Sequence, residues 1–288
     1  MSQLSLGIPF RWSLMLLTGM FVLSSPVLRA AQQQEVTEER RAARAKLDEG
    51  VQAFKNGKLE EATEDFREAT KLDPSMTRAH IYLGTAYASQ YIPGAPSDEN
   101  VNLGKEAIQE FQSVLERDPK NLTAMDGVGS LLYNMGANPF DEAKVKESKT
   151  YHLKHIEVEP EDPEPYYWLG VIDWTIAYHA EHQKRSDWTE RTGQTLSPVQ
   201  PLPEIVRDEF GNEYDDTIDE GISRLKKAVE LRPDYADAMA YLNLLYRLKA
   251  DTESNPQTRE EDIKAADELV KKVMELRQAP ASTQRQKN

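Results

Sequence analysis

The sequence contains no cysteine, and both glycine and positive charge are scarce. The absence of cysteine excludes disulfides, thiolate metal sites, a cysteine nucleophile and a lipid-modified cysteine anchor. Only 14 of the 288 residues are glycine, which is few for a β-sandwich or an α/β nucleotide-binding enzyme. Lysine and arginine total 35 against 49 aspartate and glutamate, a formal net charge of −14. Because so acidic a surface repels phosphate backbones, we expect no nucleic-acid partner.

Long apolar runs are also absent, except near the amino terminus. Residues 12–28 carry no charge, Arg11 precedes them, and Ala30 and Ala31 follow. This order predicts a secretory signal over residues 1–30, and hence a periplasmic or secreted protein. An uncleaved amino-terminal membrane anchor is the alternative interpretation of the same run. Because no later run is long enough to span a bilayer, we expect no other membrane segment.

Small and large side chains alternate in a distinctive way within residues 50–74, which read GVQAFKNGKLEEATEDFREATKLDP. Small residues stand where two helices would cross tightly, and Phe66 would fill the space beside them. Gly57 accepts the backbone conformation of a short turn, and Pro74 cannot continue a second helix. The run therefore predicts two antiparallel helices joined by a turn. The small residues at the crossing are Gly50, Ala62 and Ala69.

This run resembles the consensus of the tetratricopeptide repeat, a helix–turn–helix unit of about 34 residues. Similar marks recur along the chain and divide it into units at approximately 40–74, 77–119, 122–160, 163–233 and 236–278. The resemblance implies an all-α fold, a right-handed superhelix of about five such units with insertions between the two helices of a unit. Residues 31–278 would form this array. Residues 279–288 have no apolar stripe and are predicted to be a disordered tail.

Units three and four depart from the family pattern. In unit three, His152 and His155 replace the usual aromatic and small residues of the second helix. In unit four, residues 185–216 are rich in proline and charge, so we predict an inserted loop. The next helix would then begin at the capping-box sequence Thr217–Glu220. An alternative interpretation is that this loop separates two sub-arrays.

The resemblance also implies a concave groove, lined by the first helix of each unit, that holds an extended peptide or a helix of a partner protein. The lysine, arginine and asparagine clamp that one subclass uses for acidic carboxy-terminal peptides is missing, because its positions read Leu47, Val51, Ile81 and Thr85. The side chains that family positions would turn into the groove are instead mainly aromatic, apolar or isolated charges. They include Arg44, Phe54, Arg78, Ile81, Asp126, Tyr133, Tyr167, Val171, Trp174, Leu244 and Arg247. The competing interpretation is that these rings only pack against their own neighbours.

Two other function classes are compatible with parts of the sequence. The aromatic run Tyr166–Trp168 with Trp174 allows a glycan-binding or cell-wall-associated module, although a thick core explains the same rings. The pair His179 and His182 allows a metal site with Glu181 or Asp173, but its spacing fits no zinc motif. Phosphate loops and nucleophile elbows are absent from the sequence. We therefore expect an exported, non-catalytic scaffold without cofactor or metal, whose oligomeric state the sequence leaves open.

Overall fold

The computed structural model describes residues 26–197 and 200–278, with side chains from residue 37 onward. Residues 1–25 of the predicted signal segment and the whole predicted tail lie outside the described residues. Apart from one isolated β-bridge between Ala137 and Phe140, every regular element in the described part is an α-helix. Of these helices, none combines the length and the apolar character needed to cross a membrane.

Within residues 26–197 and 200–278, ten helices follow one another and pair as helix–turn–helix units, which confirms the all-α prediction. The helices are α1 (Pro26–Lys55), α2 (Leu59–Leu72), α3 (Thr77–Gln90), α4 (Asp98–Arg117), α5 (Leu122–Ala137), α6 (Glu142–Val158), α7 (Pro163–Thr192), α8 (Glu204–Leu231), α9 (Ala236–Thr252) and α10 (Pro256–Gln278). The odd-numbered helices are the first helices of units one to five, and the even-numbered helices are the second.

The hairpin of α1 and α2 depends on a glycine in its turn and on small side chains where the two helices cross. Gly57 has a φ of +73° in the turn between α1 and α2, a conformation that costs glycine little. A β-carbon at Gly50 would lie 2.6 Å from the ring of Phe66, so the two helices can approach this closely only without a side chain there. Ala62 and Ala69 are fully buried at the same crossing.

The same contact between a glycine of the first helix and a large side chain of the second helix recurs in the next three units. A β-carbon at Gly84 would lie 3.1 Å from Phe111, and one at Gly129 would lie 2.7 Å from His152. In unit four, a β-carbon at Gly170 would lie 2.3 Å from Leu225. The crossing is therefore a repeated structural feature, and only the side chain that fills it changes.

The two layers of helices differ in how closely their members approach one another. Successive first helices contact each other from α1 to α9, whereas among the described residues no second helix contacts another second helix. The layer whose members lie closer together must be on the inner side of a curved array. The first helices therefore line the concave side, which we call the first-helix face.

The prediction of a loop over residues 185–216 is wrong. α7 continues to Thr192 and α8 begins at Glu204, so the connection spans only residues 193–203. Val206 and Phe210 are fully buried in the core that α7, α8 and α9 share. Their spacing of four residues places both side chains on one helix face. Burial of that face against the core favours a helical conformation from Glu204 onward. The predicted helix start at Thr217 consequently lies in the interior of α8.

The apolar core is divided into two large parts. One runs from α1 to α5 and includes Phe66 and Phe111. The other lies among α7, α8 and α9 and includes Phe210 and Leu225. Between them, among the described residues, lies a smaller apolar cluster of Val145, Ile172 and Ile176 with half-buried tyrosines. The alternative of two sub-arrays thus has a structural counterpart in the core, at α6 rather than at the loop.

Candidate partner-binding surface

The amino-terminal end of the array has a cavity of about 550 Å³ lined by three arginines, which we call the arginine pocket. Leu47 and Met76 contribute apolar surface beside the guanidinium groups. The complete lining is Arg40, Arg44, Leu47, Asp48, Asp73, Met76 and Arg78. Two predicted groove residues, Arg44 from α1 and Arg78 from α3, are thereby brought together.

The charges in the arginine pocket are only partly neutralised. Arg40 lies 3.7 Å from the Asp73 carboxylate. Asp73 also accepts hydrogen bonds from the backbone N–H and the hydroxyl of Ser75. These hydrogen bonds, together with the positive charges of Arg40 and Arg44, lower the pKa of Asp73, so its carboxylate remains ionised. Arg44 and Arg78 are exposed, and neither has an ion pair within the described part of the chain. The pocket can therefore offer two guanidinium groups to a carboxylate of a ligand.

Aromatic side chains of α5, α7 and α9 form the second feature, which we call the aromatic cluster. Tyr133 meets Trp168 edge-on at a centroid distance of 5.5 Å. Tyr167 and Trp174 both meet Tyr241 edge-on, at 5.9 and 5.2 Å. All five rings are half-buried, so each keeps some surface for a partner. Such rings bury a large area and favour edge-to-face contacts.

Hydroxyl groups give the aromatic cluster a polar component. The Tyr133 hydroxyl lies 3.0 Å from Thr175 Oγ1. Burial raises the pKa of Tyr133, Tyr167 and Tyr241, so these hydroxyls stay protonated at physiological pH. The cluster can thus contact apolar groups with its rings and can donate hydrogen bonds from its hydroxyls.

The other predicted groove residues have roles within the protein. Val171 is only 1% exposed, so its side chain cannot line a groove, because α7 is surrounded by α5, α6, α8 and α9. Phe54 is half-buried against Phe66. Asp126 lies 2.7 Å from Nδ1 of His155. Arg247 donates to Asp267 of α10 at 2.7 Å. Ile81 and Leu244 are half-buried on the first helices.

A layer of polar side chains fills the junction between units three and four. Asp173 is fully buried and lies 2.7 Å from both Lys149 and Arg224. Burial raises the pKa of Asp173, and the two cations oppose that effect. Because both carboxylate oxygens are engaged, Asp173 is not free to hold a metal with His179 and His182.

The two histidine pairs lie in different surroundings. His152 and His155 are buried, at 0% and 1% exposure. His179 stacks on Phe140 at a centroid distance of 3.9 Å. His182 approaches Glu181 at 2.9 Å, and Glu181 also pairs with Arg185. The sequence shows that both histidine pairs have the same spacing, but it does not show that the two pairs differ in burial.

Sequence reasoning missed two contributors to this surface, Arg40 and Tyr241, and it considered Trp168 only for the glycan-binding alternative. Arg40 precedes Arg44 by four residues, so helical spacing places both on one face and predicts the pair. Tyr241 contacts Tyr167, and Trp168 contacts Tyr133, each on a different helix. Local sequence periodicity does not specify contacts between helices.

Comparison with known proteins agrees with this architecture. Residues 47–121 match the sequence profile of the tetratricopeptide repeat family. The chain resembles the structure of a double mutant of MamA RS-1, with 19% identity, 84% of this chain and 97% of that chain covered, and a TM-score of 0.54. It also resembles MamA from Desulfovibrio magneticus RS-1, with 18% identity, 83% and 97% coverage, and a TM-score of 0.53.

A third similar structure is YrrB, described as a tetratricopeptide-repeat protein with an unusual peptide-binding site. It is 16% identical, with 88% of this chain and 94% of that chain covered, and a TM-score of 0.50. No curated protein matches the chain. At these identities the structural likeness concerns the fold alone. Together with the match over residues 47–121, it shows that the chain has a fold of stacked helix–turn–helix units like that of tetratricopeptide-repeat structures.

Proposed function

We propose that this chain is an exported, non-catalytic scaffold that holds an extended segment of a partner protein along its first-helix face. The observation that carries the proposal is the arginine pocket, where two guanidinium groups without ion-pair partners stand beside apolar side chains. Arginine and aromatic side chains supply much of the binding energy at protein interfaces. The peptide-binding site in the description of YrrB is a precedent for this use of the fold.

The chemistry of the first-helix face constrains the segment that it would bind. An acidic side chain or a carboxylate would enter the arginine pocket, where bidentate hydrogen bonds are available. Apolar side chains of the same partner would contact the aromatic cluster. The remaining surface is acidic, since the chain carries a net charge of −14, and would repel other negatively charged segments.

The distribution of buried ionisable groups supports a non-catalytic role. Asp173 is paired with Lys149 and Arg224, and Glu181 is paired with Arg185. Asp173 thus connects α7 to α6 and α8, and Glu181 pairs with a side chain of its own helix. A general acid or base needs access to a substrate proton, and neither group faces one of the cavities lined by charged side chains.

Partner capture by the full chain tests the binding proposal. Envelope and culture fractions would be passed over immobilised protein, and bound proteins would be identified after cross-linking. The double variant Arg44→Glu/Arg78→Glu should lose a specific partner. The charge-matched control Lys105→Glu/Lys272→Glu changes exposed lysines of the second helices and should retain it. Equal capture by both variants would contradict the proposal.

Export is tested separately, because it rests on residues 1–30 alone. The full chain would be expressed in a bacterial host, and cell fractions would be probed for it. Amino-terminal sequencing should give a mature chain that begins near residue 31. An unprocessed chain confined to the cytoplasm would refute export without affecting the binding proposal.

The glycan-binding alternative has less support. Trp168 already stacks on His152, with ring planes 7° apart, and Trp174 stacks on Tyr178. Each indole therefore uses one face within the protein, which leaves less flat surface for a sugar ring. Tryptophan fluorescence titrated with cell-wall fragments distinguishes the two functions, since only the glycan-binding protein should respond.

A further inference from the structure

The turn between units three and four gathers a histidine and two carboxylates. One ligand atom from each of His155, Glu159 and Asp162 lies within 4.8 Å of the others. His155 belongs to the last turn of α6, Glu159 follows that helix, and Asp162 caps the start of α7. We propose that these three side chains bind a divalent transition metal, with Zn²⁺ as the ion that suits imidazole and carboxylate ligands.

The environment of His155 carries this inference. Its side chain is 1% exposed, and Nδ1 lies 2.7 Å from Asp126 Oδ1. A hydrogen bond from Nδ1 to a carboxylate fixes the proton on that nitrogen and leaves a lone pair on Nε2. Nε2 is buried without a hydrogen-bond partner in the described structure, 3.3 Å from Asp162 Oδ2. A lone pair and a carboxylate oxygen repel each other at this distance unless a cation lies between them.

The distances suit tetrahedral zinc. With Zn–N and Zn–O bonds of about 2.0–2.2 Å, two ligand atoms lie about 3.3–3.6 Å apart. The separation of His155 Nε2 and Asp162 Oδ2 already has this length. Asp162 Oδ1 accepts from the backbone N–H of Glu164 at 2.9 Å, which orients the carboxylate and leaves Oδ2 free. Glu159 is exposed, so its side chain can rotate to supply the third ligand.

Asp126 then has a defined supporting role. Many metal-bound histidines donate their second ring nitrogen to a carboxylate, which fixes the ring and increases its basicity. Asp126 occupies this position from α5. The metal would consequently connect the second helix of unit three to the first helix of unit four, while Asp126 would anchor the histidine to the first helix of unit three.

The competing occupant of the same space is a proton. A doubly protonated His155 would pair with Asp126 through Nδ1 and with Asp162 through Nε2. The two cases differ in measurable ways. With the metal, Nε2 carries no hydrogen and the affinity for Zn²⁺ depends on Glu159 and Asp162. With the proton, both ring nitrogens of His155 carry hydrogen and Zn²⁺ has no specific site there.

Titration of the full, untagged, chelator-treated chain with ZnCl₂ tests the proposal by calorimetry. We expect about one equivalent to bind and the melting temperature to rise. Asp162→Asn, which keeps the helix cap, and Glu159→Gln should each weaken binding at least tenfold. Asp126→Asn should weaken binding about 10- to 100-fold. The controls Glu161→Gln, in the same turn, and His179→Ala/His182→Ala should bind like the wild type.

Three results would overturn the metal site. One is no binding of Zn²⁺ above that of the Asp162→Asn variant. The second is loss of binding in the His179→Ala/His182→Ala control, which would move the site to α7. The third is a nitrogen NMR spectrum at neutral pH, with Zn²⁺ present, in which both ring nitrogens of His155 remain protonated. Partner capture does not depend on any of these outcomes.

Discussion

Units one and three fill the same crossing with different side chains. In unit one, Phe66 of α2 lies over Gly50 and stacks on Tyr82 of α3 at a centroid distance of 5.3 Å. In unit three, His152 of α6 lies over Gly129 and stacks on Trp168 of α7 at 5.7 Å. In these two units the crossing is filled by a planar ring that stacks on an aromatic ring of the next unit, and an imidazole replaces the phenyl ring in shape.

The two rings differ in energy because imidazole is polar. Neither nitrogen of His152 has a hydrogen-bond partner among the described residues, although the ring is fully buried. Leaving a buried polar group unsatisfied costs about 1–3 kcal/mol. The seam between units three and four therefore carries an energetic cost that the seam between units one and two lacks. It is also where the apolar core divides into two parts.

The largest expected effect tests the apolar crossing. Phe66→Ala should lower the free energy of unfolding by about 3–5 kcal/mol, because it removes a fully buried ring and leaves a cavity. His152→Ala should cost only about 1–2 kcal/mol, since the lost ring carries unsatisfied nitrogens. Urea unfolding followed by circular dichroism measures both. Equal losses would mean that the two crossings are energetically alike.

Exchanging the two rings should produce effects of opposite sign. Phe66→His should destabilise the array by about 2–3 kcal/mol, because it buries nitrogens that have no partner. His152→Phe should stabilise it by about 1 kcal/mol, because the free-energy cost of burying two nitrogens without hydrogen-bond partners is removed. Melting temperatures in chelator-containing buffer provide the measurement. Destabilisation by His152→Phe would show that the site depends on the polarity of the imidazole.

The pH dependence of stability should distinguish the same two crossings. Burial, with a smaller contribution from His155, lowers the pKa of His152 from 6.5 to about 3. The unfolded chain then binds the proton first, so the free energy of unfolding should fall as pH falls from 6.5 towards 3. Above pH 6.5 this group has no effect.

The variant His152→Phe isolates this contribution. Burial raises the pKa of Asp251 from 3.8 to about 6, which favours the folded state as pH falls and so acts in the opposite direction. Because both proteins retain Asp251, the difference in their melting temperatures reports mainly on His152. That difference should widen between pH 6.5 and pH 4. A constant difference over this range would refute the lowered pKa.

The smallest effect is expected for a histidine at the surface. His179 also stacks on a ring, Phe140, with planes 7° apart, but both residues remain partly accessible to solvent. His179→Ala should therefore change the free energy of unfolding by no more than about 0.5 kcal/mol. Thermal unfolding at pH 7 checks this value. A loss comparable to that of His152→Ala would show that burial is not what separates these histidines.

The sequence was sufficient to predict the repeat because the contacts that define each unit lie within a single hairpin. Gly50 and Phe66 meet within one hairpin, and Gly57 and Pro74 mark where its helices end. The second half of unit four was mispredicted because Pro201, Pro203 and Gly211 suggested a loop. The spacing of Val206, Phe210, Tyr214 and Ile218 carried the helical signal, and three of these four side chains are fully buried.

The candidate surface was only partly predictable for a different reason. Arg44 and Arg78 meet because consecutive first helices are neighbours, which the repeat specifies. Val171 is buried, and Asp126 pairs with His155 of α6, and the family positions do not record this burial or this contact. The pairing of Asp173 with Lys149 and Arg224 joins residues 24 and 51 positions apart. Local periodicity gives no information about such distant contacts.

The long hairpin of unit four has a practical consequence. α7 has 30 residues and α9 has 17, so at about 1.5 Å per residue the former is longer by roughly 20 Å. Arg185 braces the base of this projection against Asp251 and the backbone of Ser197 and Gln200. The exposed tip at Gly193 therefore projects from the array on a helix that these hydrogen bonds hold in place. It is a suitable attachment point for a fluorophore or an epitope tag.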